Sequence, residues 1–136
     1  MSKGIYGDQI RIPGLLAGAN LAAKQWHAVQ FASTANEVIS CYGTATADKP
    51  IGILQNDPAD GEPADVCALG ISRAIAGSAG IRYSDLLGCN KSGVFNTSGG
   101  TIGAISCVGL ALESSVAVGD LITVLVTPEL FTRHGS

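Results

Sequence analysis

Residues Pro50 to Gly70 read Pro-Ile-Gly-Ile-Leu-Gln-Asn-Asp-Pro-Ala-Asp-Gly-Glu-Pro-Ala-Asp-Val-Cys-Ala-Leu-Gly. Two short apolar runs, Ile51 to Leu54 and Val66 to Leu69, flank a linker of turn formers. Asp57-Pro58 presets a turn and Asp60-Gly61 permits a positive φ, so the runs are predicted to return on each other as a hairpin. The plan recurs near the C-terminus, where Val108 to Glu113 leads through Gly119-Asp120 into Leu121 to Val126. A repeat of this kind describes a scaffold, and neither copy carries a reactive group.

Outward from the hairpin, turn signals recur every eight to twelve residues or so. Strands are expected at Trp26 to Ala32, Glu37 to Tyr42, Ile51 to Leu54, Val66 to Ala76, Ile81 to Leu87, Val94-Phe95, Ile102 to Leu112 and Leu121 to Val126. Turns are expected at Asn90 to Gly93 and Ser98-Gly99-Gly100. Gly14 to Val29 carries a helical face, but Gly14, Gly18 and Asn20 weaken it, favouring a turn at Gly18-Ala19-Asn20 and one helical turn at Leu21 to Lys24. The sum is an all-β chain, a small barrel or sandwich of short antiparallel strands. Residues 1–13 form an extended N-terminal arm, 14–128 the β domain and 129–136 a C-terminal tail.

Asn20-Leu21, Asp65-Val66, Asp85-Leu86 and Asp120-Leu121 open four runs alike, with a side chain able to fold back on nearby backbone N–H groups. Gly18, Asn20, Gly52, Asp57, Pro58, Gly61, Asp85, Gly109, Gly119 and Asp120 are therefore assigned to structural turn positions.

Charged residues make up 14% of the 136 residues, against about 25% in ordinary soluble domains. Hydrophobic residues reach 46% with only 5% aromatic, so the apolar content is mainly small aliphatic. A surface this poor in charge implies burial against copies of itself or a larger partner; a compact monomer rich in exposed Ser, Thr and Gly is the plainer alternative. A net charge of −3 with eight scattered Lys and Arg excludes a nucleic-acid footprint. Every apolar run is interrupted before it could cross a bilayer, and the N-terminus lacks a signal-like apolar core, so synthesis in cytosol is expected.

Candidate chemistry is sparse. Cys41, Cys67 and Cys107 lie in apolar runs and read as buried thiols, with Cys89 exposed in a polar loop. His27 and His134 have no neighbours suited to a triad or a metal. The Gly-rich stretches 77–80 and 98–103 lack the Lys-Ser/Thr of a phosphate loop. Pro58 and Pro63 interrupt the calcium-loop reading of Asp57, Asp60, Glu62 and Asp65, and Trp26, Tyr42 and Tyr83 make at most a weak sugar platform. No catalytic, cofactor or metal residue is assigned.

Several stretches resemble the phage capsid cement (decoration) proteins. They are Tyr6-Gly7-Asp8, Ala17 to Gln25, Ile51-Gly52-Ile53-Leu54-Gln55-Asn56-Asp57-Pro58, Val66 to Gly70, Ala74 to Gly77, Val108 to Glu113 and Gly119-Asp120-Leu121. The likeness spans nearly the whole chain. It departs at Tyr83-Ser84-Asp85, where Gly-Asp would be expected, so that turn is expected to differ; Asn20 stands for the usual Asp. The resemblance implies a non-enzymatic homotrimer on the outer surface of an icosahedral head, bound to the major capsid protein over three-fold or quasi-three-fold positions. There it would reinforce the lattice against packaged DNA. The arm residues Lys3, Ile5, Tyr6, Asp8, Ile10, Arg11 and Ile12 are the candidate capsid or subunit contacts, since a segment without its own core must be ordered by something else. The rival expectation is a trimeric virion fibre or head-appendage module binding host carbohydrate. A small hydrolase or ligand-binding barrel is the third.

Overall fold

A computed structural model describes residues 9–41, 50–89, 94–97 and 107–127. Within them the chain is all-β. Ten strands join one hydrogen-bonded sheet: β1 (Gln9–Arg11), β2 (Leu16–Ala17), β3 (Ala28–Phe31), β4 (Glu37–Ser40), β5 (Pro50–Leu54), β6 (Val66–Ile75), β7 (Leu86–Cys89), β8 (Phe95–Thr97), β9 (Cys107–Ala111) and β10 (Leu121–Val126). The order is β2-β4-β3-β5-β6-β10-β9-β7-β8, with β1 added to β6. Both predicted hairpins form: Ile53 pairs with Cys67 and Leu54 with Val66, while Val124 pairs with Ala111 and Leu125 with Leu110.

Three expectations are corrected. Of the barrel and sandwich alternatives the barrel falls away: among the described residues the sheet is not closed, and one parallel bridge between Ala76 and Phe95 brings β8 against the end of β6. The pairing is not wholly antiparallel, because β2 runs parallel to β4. And Gly52 and Gly109 stand inside strands β5 and β9, not at turns. Tyr42, the turns at 90–93 and 98–100, residues 102–106 of the expected strand and the tail lie outside the described residues.

The apolar runs are explained by two-sided burial. Successive strand residues point to opposite faces. Ala28, Ile53 and Cys67 enter one core with Ala74, Ala76, Leu87, Phe95, Ala111, Ile122, Val124 and Val126. Their neighbours Val29, Leu54 and Val66 enter a second core with Leu15, Ala17, Leu21, Val38 and Ala64. The middle of the sheet, β3, β5 and the start of β6, is thus sandwiched between two apolar layers, so Ile-Gly-Ile-Leu has no polar alternation. Cys41 and Cys67 are buried thiols of the first core, and burial pushes the Cys67 thiol above its ordinary value. The side chains of Cys89 and Cys107 lie outside the described set.

Four turns hold this layering together by one repeated device. Each is a four-residue turn closed by a bond from its fourth N–H to its first carbonyl: Lys24–His27, Ala59–Glu62, Arg82–Asp85 and Ala117–Asp120, at 3.0, 3.0, 3.0 and 3.2 Å. In each the third residue is left-handed: Trp26 (φ 71°), Gly61 (86°), Ser84 (79°) and Gly119 (95°). That conformation lets the third N–H and the fourth carbonyl grip one residue elsewhere. Trp26 and His27 clasp Leu54; Gly61 and Glu62 clasp Ala17; Ser84 and Asp85 clasp Ala111; Gly119 and Asp120 clasp Ala76, all eight bonds at 2.8 to 3.0 Å. The four clasped residues are fully buried, so each clasp satisfies backbone groups that would otherwise be orphaned in the core. The turn at Ser84 keeps this geometry although Ser replaces the expected Gly, so the expectation that it would differ is corrected.

The strand interiors impose the tighter constraint. A Cβ on Gly52 would lie 2.1 Å from the carbonyl oxygen of Cys67, and one on Gly109 would lie 2.3 Å from that of Leu125. Both hairpins therefore need a glycine where the first strand crosses the return strand. A graded series follows. Gly52→Ala, which must displace buried backbone, is expected to lower stability by about 3 kcal/mol. Gly119→Ala, left-handed but in open space, should cost about 1 kcal/mol. Gly80→Ala, unobstructed and without a positive φ, should stay within about 0.5 kcal/mol. Urea midpoints at constant m-value check the order.

Candidate assembly surface

Several acidic side chains, the usual source of chemistry, are occupied by backbone. The Asp85 carboxylate accepts the Arg82 N–H at 2.8 Å, and that of Asp120 accepts the N–H groups of Val116 and Ala117 at 2.7 and 2.9 Å. Glu62 accepts from Ala59 at 2.9 Å. In these three clasps the fourth residue's carboxylate closes the turn on the first residue. Asn20 instead reaches forward to the Ala22 N–H at 3.1 Å, and Asp65 pairs with the Arg11 guanidinium. Glu62 has this role without the acid-aliphatic signature at Asp85 and Asp120. Backbone donors hold Asp120's carboxyl below the ordinary Asp value, with desolvation opposing them weakly.

The distinctive Gln55-Asn56 pair has a structural role too. Gln55 N–H bonds the Asp65 carbonyl at 2.7 Å, and Asn56 both accepts from the Asp65 N–H and donates to the Pro63 carbonyl at 3.1 Å. Together they close the loop of the first hairpin. Asp57 and Pro58 follow, and the Pro58 carbonyl receives the Leu21 N–H at 2.9 Å. Gly18 donates to the Val38 carbonyl at 2.8 Å.

Other candidates do not converge. His27 Nδ1 lies 3.1 Å from the Gln25 carbonyl, and burial pushes its ring below the ordinary histidine value. Trp26 sits in the turn entering β3 and Tyr83 in the turn before β7. Tyr42 and His134 lie outside the described residues. Among the described residues no group of three or more His, Cys, Asp or Glu could hold a metal ion, and no helix is long and apolar enough to cross a membrane. A groove of about 650 Å³ between Arg11 to Leu16 and Asn56, Pro63 to Asp65 contains only the Arg11–Asp65 pair as charged groups.

Of the arm, Lys3, Ile5, Tyr6 and Asp8 lie outside the described residues. Ile10 and Arg11 belong to β1, which pairs with β6 of the same chain, Gln9 opposite Gly70 and Ile10 opposite Leu69. The Gln9 side chain donates to the Ile71 carbonyl at 2.6 Å, and Ile12 N–H to that of Val66 at 3.2 Å. Ile10 is 61% exposed.

The largest unassigned feature is a sheet face. Partners in an antiparallel register share a face. Leu86 stands opposite Leu110, Leu110 opposite Leu125, and Leu125 opposite Ile71, so four aliphatic side chains cross β7, β9, β10 and β6 in one row. Leu121 opposite Ile75 extends it. This is the face opposite the first core, whose members Leu87, Ala111, Ile122 and Val124 alternate with it. Thr123 shares it, buried, with its hydroxyl unpartnered. Sequence reasoning missed this row.

An open, two-core, all-β sheet is the class these elements define. Among solved structures the chain is similar to the N base of the head fiber protein gp8.5 of bacteriophage phi29, with a TM-score of 0.66 and 18% identity, covering 93% of this chain and 99% of that one. At that identity the likeness is one of fold. No protein-family model matches the chain, and no curated protein matches it.

The Asp120 clasp yields a pH prediction. Because its folded carboxyl titrates below the ordinary value, its contribution is complete above about pH 4, the unfolded Asp range. It is lost as pH falls through the lower folded value. Asp120→Asn is expected to lower the melting temperature at pH 7 and to flatten its fall below about pH 4, read by circular dichroism.

Proposed function

We propose that this chain is a non-enzymatic structural protein of a bacteriophage head. The observation that carries this reading is the likeness to the head-fiber base along nearly the full length of both chains. The occupied carboxylates and the lack of a converging reactive set among the described residues support it. Within that class the chain acts as a decoration protein: a homotrimer bound to the major capsid protein on the outer surface of the head, over three-fold or quasi-three-fold positions. It stabilises the lattice against internal DNA pressure. Closed symmetry uses one modest contact three times and turns weak single contacts into tight overall binding. The arm residues Lys3, Ile5, Tyr6 and Asp8, ahead of β1, make the capsid contact.

A second reading is favoured by one specific observation, that the similar structure is described as the base of a head fiber. In it the domain anchors an appendage, and recognition of host carbohydrate belongs to the assembled structure.

Mixing the purified protein with undecorated expanded heads, followed by imaging, tests the proposal. Ordered density at three-fold or quasi-three-fold sites is expected; none at saturating protein overturns decoration and leaves the appendage reading, which binding on a glycan array would support. Deletion of residues 2–8 is expected to weaken head binding at least tenfold in a co-sedimentation assay. Unchanged binding removes the arm from the contact.

A further inference from the structure

We infer that the exposed apolar patch made by Leu86 and Leu121, where β7 and β10 begin, and by Tyr83, Val116 and Val118 in the turns before them is the surface on which copies of this chain pack together. The inference rests on the proposed self-association and adds its location and chemistry.

Nine large hydrophobic residues are exposed among the described residues, and five gather at one end of the C-terminal sheet. Leu86 and Leu121 begin β7 and β10 and are 37% and 39% exposed. Tyr83, Val116 and Val118, at 65%, 84% and 71%, lie in the two turns leading into those strands. The turns are neighbours: Ser115 N–H bonds the Ile81 carbonyl at 2.9 Å, and the Ser114 hydroxyl accepts the Tyr83 N–H at 3.1 Å. Together these side chains expose on the order of 500 Å², at the upper end of what a lone soluble domain shows. A stable interface needs roughly 800 Å² per partner, with an apolar centre and a polar rim. The patch has the size of that centre.

Its charge pattern selects a second copy as the occupant. Around a closed symmetry axis identical residues approach one another, so uncompensated charge in the patch would repel. Here the groups beside the patch carry both signs: the carboxylates of Asp85, Asp120 and Glu113 are turned onto the N–H groups of Arg82, Val116, Ala117 and Thr123, and the Arg82 side chain is an exposed cation among them. Arg73, opposite Thr123 on the β6 side, sits where a polar rim belongs. The patch is also held in shape before binding. The Ser115 hydroxyl ties the Ile81 N–H to the Ser78 carbonyl, and both turns are clasped to buried strand residues, so association orders little that is not already fixed.

Two variants test the assignment without relying on one fold-sensitive site. Val116→Lys with Val118→Lys alters only exposed turn side chains; Leu86→Lys with Leu121→Lys alters the sheet row. Phe31→Lys, at a 54% exposed position of β3 that pairs with β4 and not with the strands of the patch, is the control. Sedimentation equilibrium should give the wild type and the control three times the 13.7 kDa chain mass, and both double variants should dissociate at concentrations at least tenfold higher than wild type while keeping native circular dichroism. A wild type that stays monomeric at about 0.1 mM, or trimers untouched in the turn variant, overturns the inference. Head binding is read separately: decoration by a monomer would keep the decoration role while removing the trimer and this interface, and a trimer sensitive to the lysines that ignores heads would do the reverse.

Discussion

The fold depends on one backbone constraint, met four times: a turn whose third residue is left-handed, so that two of its polar groups point at a single buried residue. A sheet sandwiched between two apolar layers has no water with which to satisfy strand ends. An unpaired buried N–H or carbonyl costs roughly 1–3 kcal/mol, and eight such groups meet in the clasps at Leu54, Ala17, Ala111 and Ala76. Leaving them open would consume a large part of the 5–15 kcal/mol by which a domain of this size is stable. The clasps therefore allow β3, β7 and β10, of four, four and six residues, to enter a core directly from a turn. They also explain the amino-acid budget. Acids placed fourth in the turn are engaged with backbone, so part of the chain's small set of charged side chains is committed to turn geometry.

The two hairpins were legible because local rules and burial agree there. Asp-Pro and Asp-Gly mark the reversal, and Ile-Gly-Ile-Leu with Val-Cys-Ala-Leu supplies both flanks. Asp85 and Asp120 were legible as turn residues for the same reason, since a short carboxylate before an aliphatic residue is a local signal. Gly52 and Gly109 were visible but misread. Glycine marks both a turn and a close strand crossing, and only the position of the Cys67 and Leu125 carbonyls separates the two. Ile81 to Leu87 was expected to be one strand, yet β7 begins at Leu86, because Arg82 to Asp85 is needed as a clasp and Ile81 turns into the core. The left-handed Trp26 gave no signal at all; a bulky residue in that conformation is held by Leu54 and Ile75, 28 and 49 residues further along.

The aliphatic row across β7, β9, β10 and β6 was out of reach for a different reason. Leu86, Leu110, Leu125 and Ile71 are unrelated in sequence spacing, and a one-residue slip in any of the three registers would send one of them into the core instead. Two-sided burial hides the distinction further. When both faces of a strand are apolar, periodicity no longer says which face is inside and which faces out. The low charge content was the one global trace of this surface, and composition alone assigns no place to it.

These constraints bear on what kind of work the molecule is suited to. Catalysis asks for strained or desolvated titratable groups gathered in a pocket. Here the carboxylates of Glu62, Asp85 and Asp120 are spread among separate turns, each held by backbone N–H donors, and His27 is fixed beside a backbone carbonyl. What the arrangement offers is shape: strands entered from clasped turns, and an apolar row whose Leu86 and Leu121 are exposed. Rigid surfaces of modest area bind weakly one at a time and firmly when symmetry multiplies them. A regular array of contact sites rewards that combination more than it would reward a single strong pocket. On this argument the scarcity of charge and the scarcity of chemistry have the same origin, in a chain whose polar groups are spent on holding turns so that its apolar faces can meet other surfaces.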